Sequence, residues 1–364
     1  MTRKIRLTMA QALARFLTRQ MTEIDGEKVP LFGGVWAIFG HGNVAGMGEA
    51  LYQVRRDLPT YRAHNEQAMV HAAIGFAKAN FRRRVMAATT SIGPGATNMV
   101  TGAALAHVNR LPVLLLPGDV FAARIPDPVL QQVEDFGDGT VSANDCFRPV
   151  SRYFDRITRP EQIVPALMRA MAVLTDPAEC GPVTLSLCQD VQAEAFDYPE
   201  SFFEERLWLP RRQRPDEHEL QAAVEALRKA KAPLIVSGGG TLYSGASAAL
   251  EVLAGKSGIP VTGTQGGKSS LPDGNPLNMG AIGVTGTSAA NQLAEKADVV
   301  LAVGTRLQDF TTGSWALFRN PDKTIIGLNV QPFDAFKHRA LPLVADARVG
   351  LTELAEHLGG WAAP

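Results

Sequence analysis

The chain repeats one local pattern along most of its length: an apolar run, a turn containing glycine, and then a helical segment. Apolar runs of this kind lie at residues 35–39, 84–90 and 111–116, and again at residues 233–237 and 297–304. Such runs, without polar alternation, are typical of strands that are buried on both faces of a parallel sheet. The alternation with helices therefore predicts an α/β fold, with mostly parallel sheets flanked by helices.

Chain length and one irregular stretch indicate how the sequence is divided. A chain of 364 residues is long enough for two or three domains. Residues 192–215 mix aromatic, charged and proline residues with weak periodicity, which is typical of a linker. We therefore predict a three-layer domain over residues 1–191 and a second, Rossmann-like domain over residues 216–364.

Composition excludes several classes of protein. The formal net charge is zero, which argues against electrostatic binding of nucleic acid. No apolar stretch approaches the roughly 20 residues needed to span a bilayer, and no signal-peptide pattern is present. The three cysteines lack CxxC spacing, so neither a disulfide framework nor a zinc site is indicated. A reducing, cytoplasmic location is the simplest interpretation.

Glu66 occupies an unusual position at the start of a predicted helix. Apolar residues follow at Met69, Ala72, Ala73 and Phe76, spaced for one buried helical face. The helix dipole favours a carboxylate in a first turn, so solvent-side capping is one interpretation. Acidic side chains are seldom buried without a partner, so the alternative is that Glu66 meets a ligand.

Two further motifs bear on this choice. Residues 66–77 read Glu-Gln-Ala-Met-Val-His-Ala-Ala-Ile-Gly-Phe-Ala, and residues 93–98 read Gly-Pro-Gly-Ala-Thr-Asn. Together with residues 233–313, they resemble the thiamine-diphosphate enzymes of the acetohydroxyacid synthase and pyruvate oxidase group. The resemblance covers nearly the whole chain. It implies a pyrimidine-binding domain for thiamine diphosphate, followed by the central domain of that group.

Other motifs narrow the resemblance within the group. Residues 40–46 (Gly-His-Gly-Asn-Val-Ala-Gly), the extra Ile92, and residues 127–132 and 264–269 are similar to the trihydroxycyclohexane-1,2-dione hydrolase family. This resemblance implies hydrolysis of a C–C bond that opens a cyclic dione in myo-inositol catabolism. Two alternatives remain open: an acetolactate synthase-like enzyme of 2-oxo acids, and a non-catalytic nucleotide-binding or assembly module.

The resemblance also implies roles for particular residues. In the group, a glutamate hydrogen-bonds N1′ of the cofactor's aminopyrimidine, which makes Glu66 the expected catalytic residue. The expected cofactor-binding residues are Glu66, Gly40, His41, Gly42, Asn43, Gly93, Pro94, Gly95, Asn98 and Gln131. Simpler interpretations stay open: a surface histidine at position 41, a helix cap at Asn43 and a surface glutamine at position 131. Tight-turn geometry alone would explain the glycines.

The group binds the diphosphate and Mg²⁺ in a third domain, through Gly-Asp-Gly and following asparagines. Gly-Asp-Gly occurs here at residues 137–139, but Val164 and Pro165 stand where the asparagines belong. We therefore expect neither diphosphate nor metal ligands in this chain. It would be the N-terminal two-domain portion of a longer enzyme, or a subunit of one, and inactive alone.

The resemblance further implies assembly into a homodimer or homotetramer. The helices predicted at residues 66–79 and 96–109 are the expected contact. FAD or ADP is not expected in the second domain, because the glycines at residues 238–240 are not followed by a GxGxxG pattern.

Overall fold

Each half of the chain forms a six-stranded parallel sheet within residues 3–133 and 135–364, the part that the computed structural model describes. Contacts divide the chain between Pro210 and Arg211. The predicted fold class, parallel sheets covered by helices, is confirmed. The division lies within the predicted linker, close to its carboxyl end.

The first unit contains the following elements. Its strands are β1 (Lys4–Thr8), β2 (Gln20–Ile24), β3 (Glu27–Pro30), β4 (Phe32–Ala37), β5 (Thr60–Arg62), β6 (Val85–Thr90), β7 (Val113–Asp119), β8 (Tyr153–Ile157), β9 (Pro182–Cys188), β10 (Ala195–Pro199) and β11 (Arg206–Leu207). Its helices are α1 (Met9–Thr18), α2 (Glu49–Gln53), α3 (Glu66–Ala79), α4 (Pro94–Thr97), α5 (Val100–Asn109) and α6 (Ile163–Thr175). A π-helical turn spans Val44–Gly48, and 3₁₀ turns span Ala143–Val150, Pro160–Gln162, Val191–Ala193 and Glu200–Phe203.

The main sheet of this unit has the strand order β5-β4-β6-β7-β9-β8. Strands β6, β7 and β9 are buried along their whole length, as expected for strands with helices on both faces. All neighbouring pairs are parallel, so the carboxyl ends of β4, β6 and β7 lie side by side. Ligands of open α/β sheets bind at this edge.

The predicted linker is too long at its amino end. Within residues 192–215, strand β10 pairs with β1 and strand β11 pairs with β2. Tyr198 is fully buried, and its hydroxyl donates to the Pro160 carbonyl at 2.9 Å. These strands are short edge elements of five and two residues, and the charged and proline residues around them hide the apolar periodicity from a sequence reading.

Two helices are also shorter than predicted. The sequence predicts a helix over residues 45–58, but the structure has a π-helical turn followed by α2, which ends at Gln53. The helix expected over residues 96–109 is divided into α4 and α5, because Met99 donates its amide to Ala96, three residues back, rather than four. The sequence predicts that the strand over residues 111–116 ends at residues 117–119, but these residues belong to β7.

The second unit begins with α7 (Glu217–Lys229) and repeats the strand–helix pattern. Its strands are β12 (Pro233–Ser237), β13 (Val261–Gly263), β14 (Asn278–Ala281), β15 (Val299–Val303), β16 (Thr324–Asn329) and β17 (Leu341–Val344). Its other helices are α8 (Gly239–Tyr243), α9 (Ser247–Ser257), α10 (Ser288–Lys296), α11 (Asp309–Thr312), α12 (Pro332–Phe336) and α13 (Ala347–Leu358), with 3₁₀ turns at Gln265–Gly267 and Lys337–Arg339.

The sheet of the second unit has the order β14-β13-β12-β15-β16-β17, the doubly wound order of Rossmann-like domains. The glycine turns after β12 and β15 pack directly on each other. A Cβ added at Gly238 would lie 2.4 Å from the Gly304 carbonyl oxygen, and one at Gly240 would lie 2.6 Å from the Gly304 Cα. Among the described helices, none is both long enough and apolar enough to cross a membrane.

Candidate functional site

Glu66 is the first residue of α3, but it does not cap the helix. The cap is Asn65, whose side-chain oxygen accepts the Ala68 amide at 2.9 Å. The Glu66 carboxylate instead turns toward the loop after β6. Its Oε2 accepts a hydrogen bond from Asn98 Nδ2 at 2.7 Å, and its Oε1 lies 3.5 Å from the Thr90 hydroxyl. The geometry thus favours the ligand interpretation of Glu66 over solvent-side capping.

The carboxylate lines an open cleft of about 490 Å³. The cleft is formed by α3 and α4, and its lining residues are Glu66, Pro94, Gly95, Thr97 and Asn98. A Cβ added at Gly95 would lie 3.2 Å from Glu66 Oε1 and 3.0 Å from the Thr90 hydroxyl. Glycine at position 95 therefore leaves backbone, rather than a side chain, beside the carboxylate, and four predicted site residues meet here.

Gly93 connects the cleft to a long exposed loop. Its φ of +66° lies in the left-handed region, and an added Cβ would lie 1.9 Å from the Gln131 carbonyl oxygen. The structure thus brings the backbone of Gln131 against the turn at Gly93, while the Gln131 side chain is exposed. Only glycine fits both the torsion angle and the close approach.

We expect Gly93→Ala to lower the free energy of unfolding by about 1–3 kcal/mol, because it combines a left-handed φ with a backbone clash. Urea denaturation followed by circular dichroism measures the change. The matched control is Gly255→Ala in α9, where an added Cβ meets no described atom within 4 Å. That control should raise stability by about 0.5–1 kcal/mol, because alanine is the better helix former. Equal effects at the two positions would contradict this account of Gly93.

The turn at residues 40–43 lies at the carboxyl end of β4, and Asn43 holds it together. Asn43 is 1% exposed; its Oδ1 accepts the Gly40 amide at 2.9 Å. Its Nδ2 donates to the Ile38 carbonyl at 3.1 Å and the Thr89 hydroxyl at 3.2 Å. The Asn43 side chain therefore supports the turn; it makes neither the helix cap that the sequence suggested nor an open ligand contact.

Gln192 completes this support, and the sequence analysis missed it by placing it in the linker. It is 1% exposed, and its Nε2 donates to the carbonyl oxygens of Gly42 at 2.8 Å and Leu187 at 3.1 Å. Its Oε1 accepts the Met47 amide at 3.2 Å. No local pattern marks a glutamine that reaches 150 residues back along the chain.

Asp119 is a second buried residue that the sequence analysis passed over. It is 1% exposed at the end of β7, and it accepts hydrogen bonds from the Ser186 hydroxyl and, at 2.8 Å, from Arg156 Nε. Arg156 also contacts Asp145 at 3.0 Å. Burial alone would raise the pKa of Asp145, but hydrogen bonds from Ser142, Arg148 and Arg156 hold it below its usual range. This network closes the base of the loop that carries Gln131.

Metal-ligating side chains do not gather in the described residues: no group of three His, Cys, Asp or Glu residues there is arranged to hold a metal ion. The Gly-Asp-Gly sequence at residues 137–139 lies in an exposed loop. Asp138 accepts hydrogen bonds from the amide and hydroxyl of its neighbour Thr140, at 2.8 and 2.6 Å. The donor set in these residues therefore does not fit a Mg²⁺ site.

Two family descriptions match the chain. Residues 34–138 match the thiamine pyrophosphate enzyme N-terminal TPP binding domain, which contains Glu66 and the cleft. Residues 220–354 match the thiamine pyrophosphate enzyme central domain, which corresponds to the second unit. The two matches follow the order of the two units along the chain.

Curated relatives cover the chain almost from end to end. The 3D-(3,5/4)-trihydroxycyclohexane-1,2-dione hydrolase of Geobacillus thermodenitrificans (strain NG80-2) is 51% identical over 357 residues, covering 98% of this chain and 56% of the relative. The similarly named protein of Clostridium tetani (strain Massachusetts / E88) is 49% identical over 354 residues, covering 97% and 55%. The chain thus spans about half the length of the curated relatives it matches.

Proposed function

The chain belongs to the thiamine pyrophosphate enzymes, and on that premise we propose that it supplies the aminopyrimidine side of a C–C bond hydrolase acting on trihydroxycyclohexane-1,2-dione. The observation that carries the proposal is the Glu66 carboxylate, held at 2.7 Å by Asn98 on the wall of an open cleft. The names of two relatives, which are 51% and 48% identical to this chain, support the choice of substrate. Ring opening with water as acceptor would give an acyclic acid.

The cleft fits an aminopyrimidine ring in its chemistry. Glycine at position 95 leaves room beside the carboxylate, and Pro94 offers an apolar edge. When bound, thiamine diphosphate supplies a carbanion at C2 of its thiazolium ring. Glu66 would share a proton with N1′ of the pyrimidine, and Asn98 would orient the carboxylate by donating to its second oxygen. Gly93, Pro94 and Gly95 would bind through their backbone.

We propose that Mg²⁺ accompanies the diphosphate on ligands other than the described residues of this chain, because no three His, Cys, Asp or Glu side chains among them are arranged to hold a metal ion. The loop at residues 137–139 takes no part in this proposal. We also propose that the second unit binds no nucleotide, because the glycine turns after β12 and β15 pack directly against each other.

The test is a comparison of substrates by ¹³C NMR with the holoenzyme, loaded with thiamine diphosphate and Mg²⁺. We expect loss of the trihydroxylated dione and appearance of a carboxylate signal, both dependent on thiamine diphosphate. Formation of acetolactate from pyruvate without ring opening would favour the acetolactate synthase alternative. Absence of both reactions, with a nucleotide released from the purified protein on heating, would favour a nucleotide-binding or assembly module.

We also propose that α3 and α5 form an interface with another subunit in a homodimer or homotetramer. One exposed face of α3 consists of four small residues: Ala68, Ala72, Gly75 and Ala79. On the neighbouring α5, Leu105 is 40% exposed and Val108 is 55% exposed. Exposed small and apolar residues on two packed helices suit close contact between subunits.

Leu105→Glu is expected to weaken this association at least 10-fold, because it buries an unpaired charge in an apolar interface. Light scattering after size-exclusion chromatography, over a range of protein concentrations, measures the change. The control is Val252→Glu on α9, where the residue replaced is 50% exposed. If the Leu105 variant keeps the wild-type mass at every concentration, α5 is not in the interface.

A further inference from the structure

His41 is the one side chain that the turn at residues 40–42 projects, because glycines flank it on both sides. Neither glycine can be replaced without a clash. A Cβ at Gly40 would lie 2.7 Å from the Ser91 hydroxyl oxygen, and one at Gly42 would lie 2.8 Å from the Ile92 amide nitrogen. The turn therefore packs closely against the residues at the carboxyl end of β6. His41 supplies the only side chain of residues 40–42 that could contact a ligand.

The backbone on both sides of His41 is held by buried side chains. The Gly40 amide donates to Asn43, the Gly42 amide donates to the Ser91 hydroxyl at 3.2 Å, and the Gly42 carbonyl accepts from Gln192. Asn43, Ser91 and Gln192 are each less than a tenth exposed. Such support, from the turn itself and from two distant segments, is typical of a residue whose position must be fixed.

The imidazole of His41 has an unsatisfied atom. Its Nε2 is buried, and it has no hydrogen-bond partner within residues 3–133 and 135–364. A buried polar atom without a partner destabilises the fold, so such atoms mark places where a ligand or water completes the structure. The amides of the flanking Gly40 and Gly42 are paired, whereas the His41 Nε2 is not.

His41 lies outside the cleft that contains the Glu66 carboxylate. His41 is absent from the cleft lining, but the turn contacts Ile92, which precedes the cleft residues Pro94 and Gly95 by only two and three positions. The aminopyrimidine would occupy the Glu66 side of this segment. A ligand group near His41 would therefore lie beside the cofactor, where a substrate belongs.

We propose that His41 Nε2 hydrogen-bonds a ring hydroxyl of the cyclic dione, and so determines specificity for a hydroxylated ring; this rests on the proposed function. A hydroxyl both donates and accepts, so it matches an imidazole nitrogen in either tautomer. A site built to bond a hydroxyl discriminates strongly against an analogue that lacks it, because its own polar group then stays unpaired.

The test compares two substrates of the holoenzyme: the trihydroxylated dione and unsubstituted 1,2-cyclohexanedione. We expect His41→Ala to lower kcat/KM for the hydroxylated dione about 100-fold, while the value for 1,2-cyclohexanedione changes less than threefold. If the unsubstituted ring is bound but not opened, its inhibition constant replaces kcat/KM. His41→Gln, which keeps a side-chain donor and acceptor, should recover part of the loss. The affinity for thiamine diphosphate should stay unchanged in both variants.

His71→Gln is the matched control, because the buried His71 Nε2 also has no hydrogen-bond partner among the described residues, but His71 packs against Gly102 of α5. It should leave the ratio of the two substrates unchanged. Equal losses on both substrates in His41→Ala, or lost cofactor affinity, would overturn the proposal, as would no loss at all. A wild-type holoenzyme that opens neither ring would overturn the proposed function itself, a result distinct from every outcome that concerns His41 alone.

Discussion

Glu66→Gln is expected to lower the rate of cofactor activation on the order of 10²–10⁴-fold, the range attributed to a positioned acid–base group. Glutamine keeps the size of the side chain and can still accept the Asn98 hydrogen bond, but it cannot share a proton with N1′. The loss should therefore appear in proton transfer rather than in folding. The Asn98 hydrogen bond, 2.7 Å long, can form with either side chain, so a loss of proton transfer can be distinguished from a loss of folding.

The measurement is the rate of hydrogen–deuterium exchange at C2 of bound thiamine diphosphate, followed by NMR after acid quenching. The matched control is Glu49→Gln, which removes another first-turn glutamate, on α2, that is exposed. The control should exchange at the wild-type rate. Exchange within threefold of wild type in the Glu66 variant would remove Glu66 from the mechanism.

Asp119→Asn should have the largest effect on stability. It leaves the Arg156 guanidinium beside a neutral, buried partner, and breaking a buried ion pair costs about 3–5 kcal/mol. For a unit of this size, even the lower end of that range lowers the melting temperature by about 6–12 °C. Gly118 packs against Gly42, so the loss should also loosen the turn that carries His41.

Differential scanning calorimetry measures this shift, with Asp197→Asn as the matched control. Asp197 pairs with Arg6 at 3.1 Å, but both side chains are more than half exposed. Exposed pairs contribute about 0–1 kcal/mol, so the control should shift the melting temperature by less than about 4 °C. Similar shifts for the two variants would mean that the Asp119 network carries little of the stability of the first unit.

Local sequence signals were sufficient for the regular elements. The sequence predicts strands at residues 60–62 and 233–237, and β5 and β12 have these bounds. Helix α3 also begins at Glu66 as predicted, because apolar runs and a capping asparagine act over a few residues. The family membership and the α/β class are confirmed as well. The edge strand β10 was missed, because its pairing partner lies near the other end of the unit.

The residues of the candidate site were harder to predict from the sequence than the helices and strands. Motifs indicated Glu66, Gly95 and Asn98, and the structure brings these residues together at one cleft. Their roles toward the cofactor stay predictions. Gln192 and Asp119 carry no local pattern, since each acts through contacts with residues far away along the chain. Support of this kind depends on tertiary packing, which a single sequence does not display.

The most direct test of the account is ¹⁵N NMR of thiamine diphosphate labelled at N1′ and bound to the holoenzyme. The account predicts that N1′ shifts strongly from its free position when it meets the Glu66 carboxyl, and that Glu66→Gln abolishes this shift while the cofactor stays bound. An N1′ signal at the free position in the wild-type protein, or the same shift in both proteins, would contradict the account.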